Sequence, residues 1–181
     1  MMKAAVLLSL AWVPAEPMLD GDCDEHVELA ESVYEINEKV TLYITEREDH
    51  VWFCYTVPEG RMGVLDLTVD SPGLEQALNL HVSAQLGEWP ANDPGAAPAG
   101  PEDPRWWNVA GWHANTLRFR GMRETEQGRY PVFRSAHARE MQLAMGRFGT
   151  GVWKLVFAID SHSRRAIRWP AEGVLEIAVG D

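Results

Sequence analysis

The sequence predicts an all-β chain, folded as an antiparallel two-sheet β-sandwich of the jelly-roll-like kind with few or no helices. Several segments alternate apolar and polar residues with a period of two, which places one face of each strand on a core. Glycine, proline and aspartate separate these segments, and helical periodicity is scarce. Short alternating strands divided by turn residues are typical of sandwiches.

The first strands form a predicted hairpin. Lys39–Arg47 and His50–Val57 are strand-like runs joined by a short polar turn. Further along, Leu65–Asp70 and Leu78–Gln85 alternate apolar with polar residues, and each is predicted to bury one face.

The later elements are less uniform. Leu74–Leu78, which follows a Ser-Pro-Gly turn, is predicted as one turn of helix. Ala136–Met145 contains good helix formers, yet its methionines and leucine alternate, so helix and strand both stay open with a preference for strand. Trp153–Asp160 and Leu175–Val179 alternate clearly and are predicted as the closing strands.

The N-terminus has the plan of a secretory signal peptide, which predicts a periplasmic or extracellular protein. A short positive start precedes the apolar stretch Ala4–Val13, and small residues allow a cut after Ala15. The alternative is a buried first strand, Val6–Trp12. We therefore expect a signal peptide at residues 1–15 and one sandwich domain at residues 16–181.

Because an exported chain reaches an oxidising compartment, its two cysteines are candidates for a disulfide. Cys23 lies in an acidic, loop-like segment and Cys54 lies inside a predicted strand. We predict a disulfide between them, which would contribute roughly 3–4 kcal/mol in the chain-entropy model. The alternative is two unrelated buried thiols. Because the chain has no Cys-x-x-Cys or Cys/His cluster, a zinc site is not expected.

The stretch Pro90–Pro104 is rich in proline, glycine and alanine and has almost no large apolar residue. Such a composition predicts a solvated loop. It could divide two small domains, but either half alone would bury too little surface, so an insertion loop at 90–104 is preferred.

One stretch resembles a known family. Leu19–Glu25 reads Leu-Asp-Gly-Asp-Cys-Asp-Glu, which is similar to the "I-D-G-x-x-D-E" opening of family-nine-like carbohydrate-binding modules and the related DOMON-type sandwiches. The hairpin, Leu65–Asp70 and Gly151–Ile159 resemble later strands of these proteins. The tryptophan usual after the Asp-Glu pair is replaced by His26-Val27-Glu28-Leu29. The resemblance implies a sandwich that binds sugar or, in some relatives, haem.

Tryptophan is the most abundant aromatic residue, with eight copies. Four of them flank the proline-rich loop: Trp89, Trp106, Trp107 and Trp112. Adjacent residues of an extended chain point to opposite sides, so Trp106 and Trp107 cannot both face a core. An exposed indole suits a sugar ring, because its flat face meets C–H groups while its N–H still donates. The alternative is that these rings cap the ends of the core.

Polar partners for such a ligand come from residues near Trp112 in sequence. Amide, imidazole and guanidinium groups can bond to neighbouring hydroxyls beside an aromatic surface. The candidates are Asn108, His113, Asn115 and Arg118. The alternative for each is an ordinary polar surface residue.

The acidic N-terminal segment is a candidate calcium site. Carboxylates that alternate in a loop suit calcium, which indicates Asp20, Asp22 and Asp24 as ligands. The alternative is a solvated acidic turn. Asp66 and Asp70, on one face of a predicted strand, are a further possible ligand pair or simply its wet side.

Haem is the alternative cofactor. Its candidate axial ligands are Met62, His81, His137, Met141 and Met145. Methionine as a filler of core gaps and histidine as a surface group are the competing interpretations for each residue.

The net charge of −11 argues against a nucleic-acid partner, and no apolar run is long enough to span a membrane. No motif for nucleophilic, metal-dependent or phosphate chemistry is present, so a catalyst is not expected. We expect a secreted or periplasmic binding module for carbohydrate or a cell-envelope component. The alternatives are a haem-binding electron-transfer domain and a structural or adhesive envelope protein without a small ligand.

Overall fold

The computed structural model describes residues 17–58, 61–134, 136–160 and 166–180. The predicted signal peptide lies outside the described residues. A short 3-10 turn covers Pro94–Ala96. The helices and strands in chain order are α1 (Asp24–Leu29), β1 (Ser32–Asn37), β2 (Val40–Arg47), β3 (His50–Thr56), β4 (Leu65–Asp70), β5 (Leu78–Val82), β6 (Leu86–Pro90), β7 (Trp112–Ala114), β8 (Arg118–Thr125), β9 (Gly128–Arg134), β10 (Ala138–Ala144), α2 (Met145–Phe148), β11 (Gly151–Ile159), β12 (Ile167–Trp169) and β13 (Leu175–Val179).

Eleven of the thirteen strands in the described residues form two antiparallel sheets. The first sheet has the order β1-β2-β3-β10-β7, and the second has the order β12-β11-β4-β5-β6, with β13 also pairing with β11. Strands from before and after the proline-rich loop pair within both sheets, since β10 pairs with β3 and β11 with β4. The predicted all-β, two-sheet antiparallel fold is confirmed.

The core lies between the two sheets. Alternate residues of the strands in these two sheets point inward, and the rings of Phe53 and Phe157 meet across the interface with centroids 5.8 Å apart. Trp153 and Trp112 are fully buried in the same cluster. Full burial of one such side chain contributes about 1.5–3 kcal/mol, so this interface is the main source of stability.

Most of the predicted elements are confirmed. The predicted hairpin is β2 and β3, in which Arg47 pairs with His50. Ala138–Ala144 is a strand, which settles the ambiguous segment, and the chain turns into α2 only at Met145. The predicted helical turn at Leu74–Leu78 is wrong. Its Ala77 carbonyl accepts a hydrogen bond from Ala91 N at 2.9 Å, because β5 pairing begins there.

The predicted disulfide is confirmed, with Cys23 and Cys54 joined and their Cα atoms 5.8 Å apart. On β3 the residues that alternate with Cys54 belong to the main core, so Cys54 faces the opposite, outer side of the first sheet. The bond therefore fastens the α1 segment onto that outer side.

The strands β8 and β9 pair with each other as a separate two-stranded hairpin. Met122 and Tyr130 on it are 44% and 47% exposed, so the hairpin contributes little to the core. Within the described ranges, no helix is long and apolar enough to cross a membrane.

Candidate functional site

The strongest candidate site lies on the outward face of three neighbouring strands in the second sheet. Antiparallel register aligns their outward residues in two rows, because opposite residues of paired strands share a face. One row is Asp66, His81 and Gly87, and the other is Thr68, Asn79 and Trp89. We call these six residues, together with Trp106, the β4–β6 face.

Asp66 is the polar centre of the β4–β6 face. Its Oδ1 lies 2.8 Å from His81 Nδ1 and accepts a hydrogen bond from Asn79 Nδ2 at 3.0 Å. Partial burial disfavours the charged carboxylate by desolvation, but the bonds from His81 and Asn79 outweigh this and hold the pKa of Asp66 below its ordinary value. The network therefore presents a carboxylate that stays ionised and a histidine fixed in orientation.

Two indoles lie against this network. The His81 ring centroid is 5.9 Å from that of Trp89 and 5.4 Å from that of Trp106. A Cβ atom on Gly87 would lie 2.7 Å from the Trp106 ring, so this indole rests on bare backbone that only glycine leaves open. Both tryptophans are half-buried, which leaves part of each ring available to a ligand.

The proline-rich loop holds Trp106 in place. The indole Nε1 donates to the Gly100 carbonyl at 2.8 Å, and Gln85 Nε2 donates to the Pro101 carbonyl at 2.9 Å. Asp103 organises the turn by accepting from Ala99 N and from the Arg105 guanidinium. The bonds from Arg105 hold the pKa of Asp103 well below its ordinary range. The loop is thus an ordered support for the site.

The tryptophans predicted for the site have three different environments. Trp89 and Trp106 belong to the β4–β6 face, whereas the Trp107 side chain is 54% exposed, on a backbone with φ of +66°. Trp112 is 1% exposed and points into the core, where its Nε1 donates to Glu88 at 2.7 Å. Pairing of β7 with β10 places Trp112 inside, so it is not available as a surface for a ligand.

The polar residues predicted beside Trp112 do not join this face. Asn108 is exposed after the loop. His113 alternates with the inward-pointing Trp112 and therefore lies on the outer side of the first sheet, across the sandwich. Asn115 fixes backbone there, since its Nδ2 donates to Ala138 O and its Oδ1 accepts from Glu140 N. The side chain of Arg118 lies outside the described part of the structure.

The residues predicted as calcium ligands are spread along the segment that leads into α1. Asp20 is exposed and lies near two other carboxylates, those of Glu25 and Glu140. Asp22 uses its Oδ1 to accept from Cys23 N at 2.9 Å, and Asp24 begins α1. The structure therefore groups Asp20 with Glu25 of the same acidic segment and with Glu140, which lies far along the chain.

A polar cavity of about 730 Å³ opens beside this segment. Asp20, Asp22, Asn115 and Arg134 line it, together with His137. The cavity lies between the N-terminal segment and the connections that flank the β8–β9 hairpin. Water and small polar groups can therefore reach the acidic segment.

The candidate haem ligands are not gathered at one point. Met141 is 2% exposed and points into the core from the first sheet, whereas His81 lies on the outer face of the second. His137 lines the polar cavity, and the Met62 carbonyl accepts a bond from Arg139. Met145 begins α2 and packs against the core.

The sequence pattern indicates Trp89 and Trp106 as candidates, but it does not indicate the hydrogen-bond network that joins Asp66 to Asn79 and His81. Each is the polar residue of an alternating pattern, which by itself predicts only a wet side. The signal that could have found them is the register of adjacent antiparallel strands, because aligning β4, β5 and β6 brings their outward residues together. No protein-family model matches the chain, and no curated protein matches it by sequence.

Proposed function

We propose that this chain is a non-catalytic binding module that takes a carbohydrate on the β4–β6 face. The observation that carries the proposal is the arrangement of Trp89 and Trp106 around the ring of His81 on an outward sheet surface. The same ring is hydrogen-bonded to Asp66. Half-buried indoles beside fixed polar groups are complementary to a sugar, because its rings have both apolar C–H faces and hydroxyl edges.

The polar groups of the β4–β6 face offer different hydrogen-bond donors and acceptors to the hydroxyls of a sugar. An ionised Asp66 accepts hydrogen bonds, and the Asn79 amide can both donate and accept. Because His81 and Asn79 both bond to Oδ1, the other carboxylate oxygen is the one left for a ligand hydroxyl. Three strands and an ordered loop hold these groups, so little conformational entropy is lost on binding.

The lowered pKa of Asp66 supports binding rather than acid catalysis. A general acid must carry a proton near neutral pH, whereas the bonds from His81 and Asn79 keep Asp66 ionised there. A disulfide is typical of oxidising compartments, which supports a periplasmic or extracellular location for the module.

The test is a titration of the purified chain with a panel of neutral and acidic oligosaccharides, followed by calorimetry and tryptophan fluorescence. Trp89→Ala and Trp106→Ala should each weaken binding about tenfold or more, since tenfold corresponds to about 1.4 kcal/mol, the size of a good aromatic contact. Trp107→Ala removes an indole that lies outside the β4–β6 face and should leave affinity nearly unchanged.

Three outcomes would contradict the proposal. Binding that survives both Trp89→Ala and Trp106→Ala would place the ligand elsewhere. No binding to any member of the panel, with a Soret band on addition of haem, would favour the haem-binding alternative instead. No response in either assay would leave a structural or adhesive role.

A further inference from the structure

A second group of side chains lies across the sandwich from the β4–β6 face, where α1 covers the outer side of the first sheet. Asp20, Glu25 and Glu140 each bring a carboxylate oxygen to within 4.8 Å of the others. Oxygens bound at 2.3–2.6 Å around a single Ca²⁺ are at most about 5 Å apart, so three oxygens with this spread fit one ion.

Backbone N–H groups hold all three carboxylates in position. Asp20 Oδ1 accepts from Asp22 N at 3.0 Å, and Glu25 Oε1 accepts from Met18 N at 2.8 Å. Glu140 Oε2 accepts from Gly21 N at 2.5 Å, across a sequence separation of 119 residues. Each bond fixes one oxygen of its carboxylate, and the segment from 18 to 25 is wrapped around the Glu140 side chain.

An independent observation is that Glu140 is buried without adequate partners. The residue is 1% exposed, and its Oε1 has no hydrogen bond within the described structure. This Oε1 lies 3.4 Å from His26 Nε2, in a ring that is itself 0% exposed and makes no hydrogen bond with either nitrogen in that same described part. A buried carboxylate oxygen of this kind is costly unless a ligand completes it.

The electrostatics of the group point the same way. Three converging carboxylates repel one another, and a bound cation reverses that repulsion.

We propose that Asp20, Glu25 and Glu140 bind one divalent cation and that this cation is Ca²⁺. All three ligands are hard oxygens, which Ca²⁺ prefers, and the adjoining polar cavity supplies water for its remaining positions. A softer metal would need nitrogen or sulfur donors. His26 and Glu140 do form a set with Cys54, but that sulfur is committed to the disulfide.

The proposed site differs from the loop ligands Asp20, Asp22 and Asp24 that the sequence pattern predicts. Only Asp20 is common to both sets, and Glu140 comes from β10, far along the chain. The cation would join the N-terminal segment to the first sheet, at the same place where the disulfide fastens it.

The experiment uses the full chain freed of metal with EDTA, titrated with Ca²⁺ by calorimetry and followed by thermal melts. We expect one ion per chain and a melting temperature that rises with Ca²⁺, because a ligand that binds only the folded state stabilises it. Asp20→Asn and Glu25→Gln should each weaken binding at least tenfold. These residues are exposed or half-buried, so the test does not depend on replacing the buried Glu140.

Asp24→Asn and Glu28→Gln are the matched controls, since they remove neighbouring charges outside the proposed ligand set. Both should retain binding within about twofold. Tb³⁺ provides a second readout in place of Ca²⁺. Its emission should be sensitised by Trp52, whose ring centroid is 6.3 Å from that of His26, and should fall in Trp52→Phe while calorimetric affinity stays unchanged.

The proposal is overturned if Ca²⁺ neither binds at millimolar concentration nor changes the melting temperature. It is also overturned if Asp24→Asn abolishes binding while Glu25→Gln does not, because the ion would then belong to the loop carboxylates. Neither result bears on the carbohydrate proposal, since the variants of that test lie on the opposite outer face of the sandwich.

Discussion

Gly87 shows how one missing side chain can shape the proposed binding surface. The Trp106 ring occupies the space where a Cβ would stand, at 2.7 Å. Gly87→Ala should therefore displace this indole, change the near-ultraviolet circular dichroism and weaken ligand binding, with only a small loss of global stability. Gly100→Ala, in the proline-rich loop rather than in β6, is the control, because its added Cβ meets nothing within 4 Å. Equal effects of the two variants would contradict this account of Trp106.

Asp66 links the candidate site to the pH dependence of stability. Hydrogen bonds from His81 and Asn79 outweigh desolvation and keep its pKa below the ordinary value of 3.8, so the unfolded chain takes up this proton more readily than the folded one. Asp66 therefore stabilises the fold above about pH 4 and loses this contribution as the pH falls through its folded pKa.

Urea unfolding of Asp66→Asn at about pH 7 and about pH 3 tests this assignment. The variant should lose less free energy of unfolding on acidification than the original chain does. Asp70→Asn, which changes an exposed carboxylate at the end of the same strand, serves as the control. If Asp66→Asn loses as much free energy of unfolding on acidification as the original chain does, Asp66 is not the source of this pH dependence.

Among the elements, α1 depends most on a covalent bond. It has only six residues, and isolated helices of that length are unstable in water. Replacing both Cys23 and Cys54 by serine should lower the free energy of unfolding by roughly 2–4 kcal/mol and expose α1 first. Urea unfolding and hydrogen exchange of the Asp24–Leu29 amides measure the two effects. If the α1 amides of the variant are as well protected from hydrogen exchange as the rest of the chain, the disulfide does not act mainly on α1.

Element by element, prediction succeeded where the pattern is local. The hairpin and the alternating strands follow from side-chain periodicity, which the pleat of a strand imposes directly. The prediction failed at Leu74–Leu78, because pairing of β5 with its neighbours overrides the weak preference of so short a segment. The short helix α1 was not foreseen either, since six residues carry no usable periodicity and the disulfide holds them in place.

For the whole molecule, the sequence was sufficient for the class of fold but not for the order of strands within each sheet. The strand order determines which of the predicted site residues lie close together. It aligns Asp66, Asn79 and His81 beside Trp89, and it carries His113 and Asn115 to the other side of the core. Such long-range pairings depend on how the two sheets share one core, which no local pattern encodes.

The β8–β9 hairpin gives the molecule an uneven distribution of charge. Five of the 16 basic residues in the chain lie between Arg118 and Arg134, although the chain as a whole has a net charge of −11. The remainder of the protein is thus more acidic than its total indicates, and the hairpin is the positive end of a molecular dipole. Near a charged surface such a dipole orients the protein before contact, an effect that salt screens beyond about 10 Å at 0.1 M ionic strength.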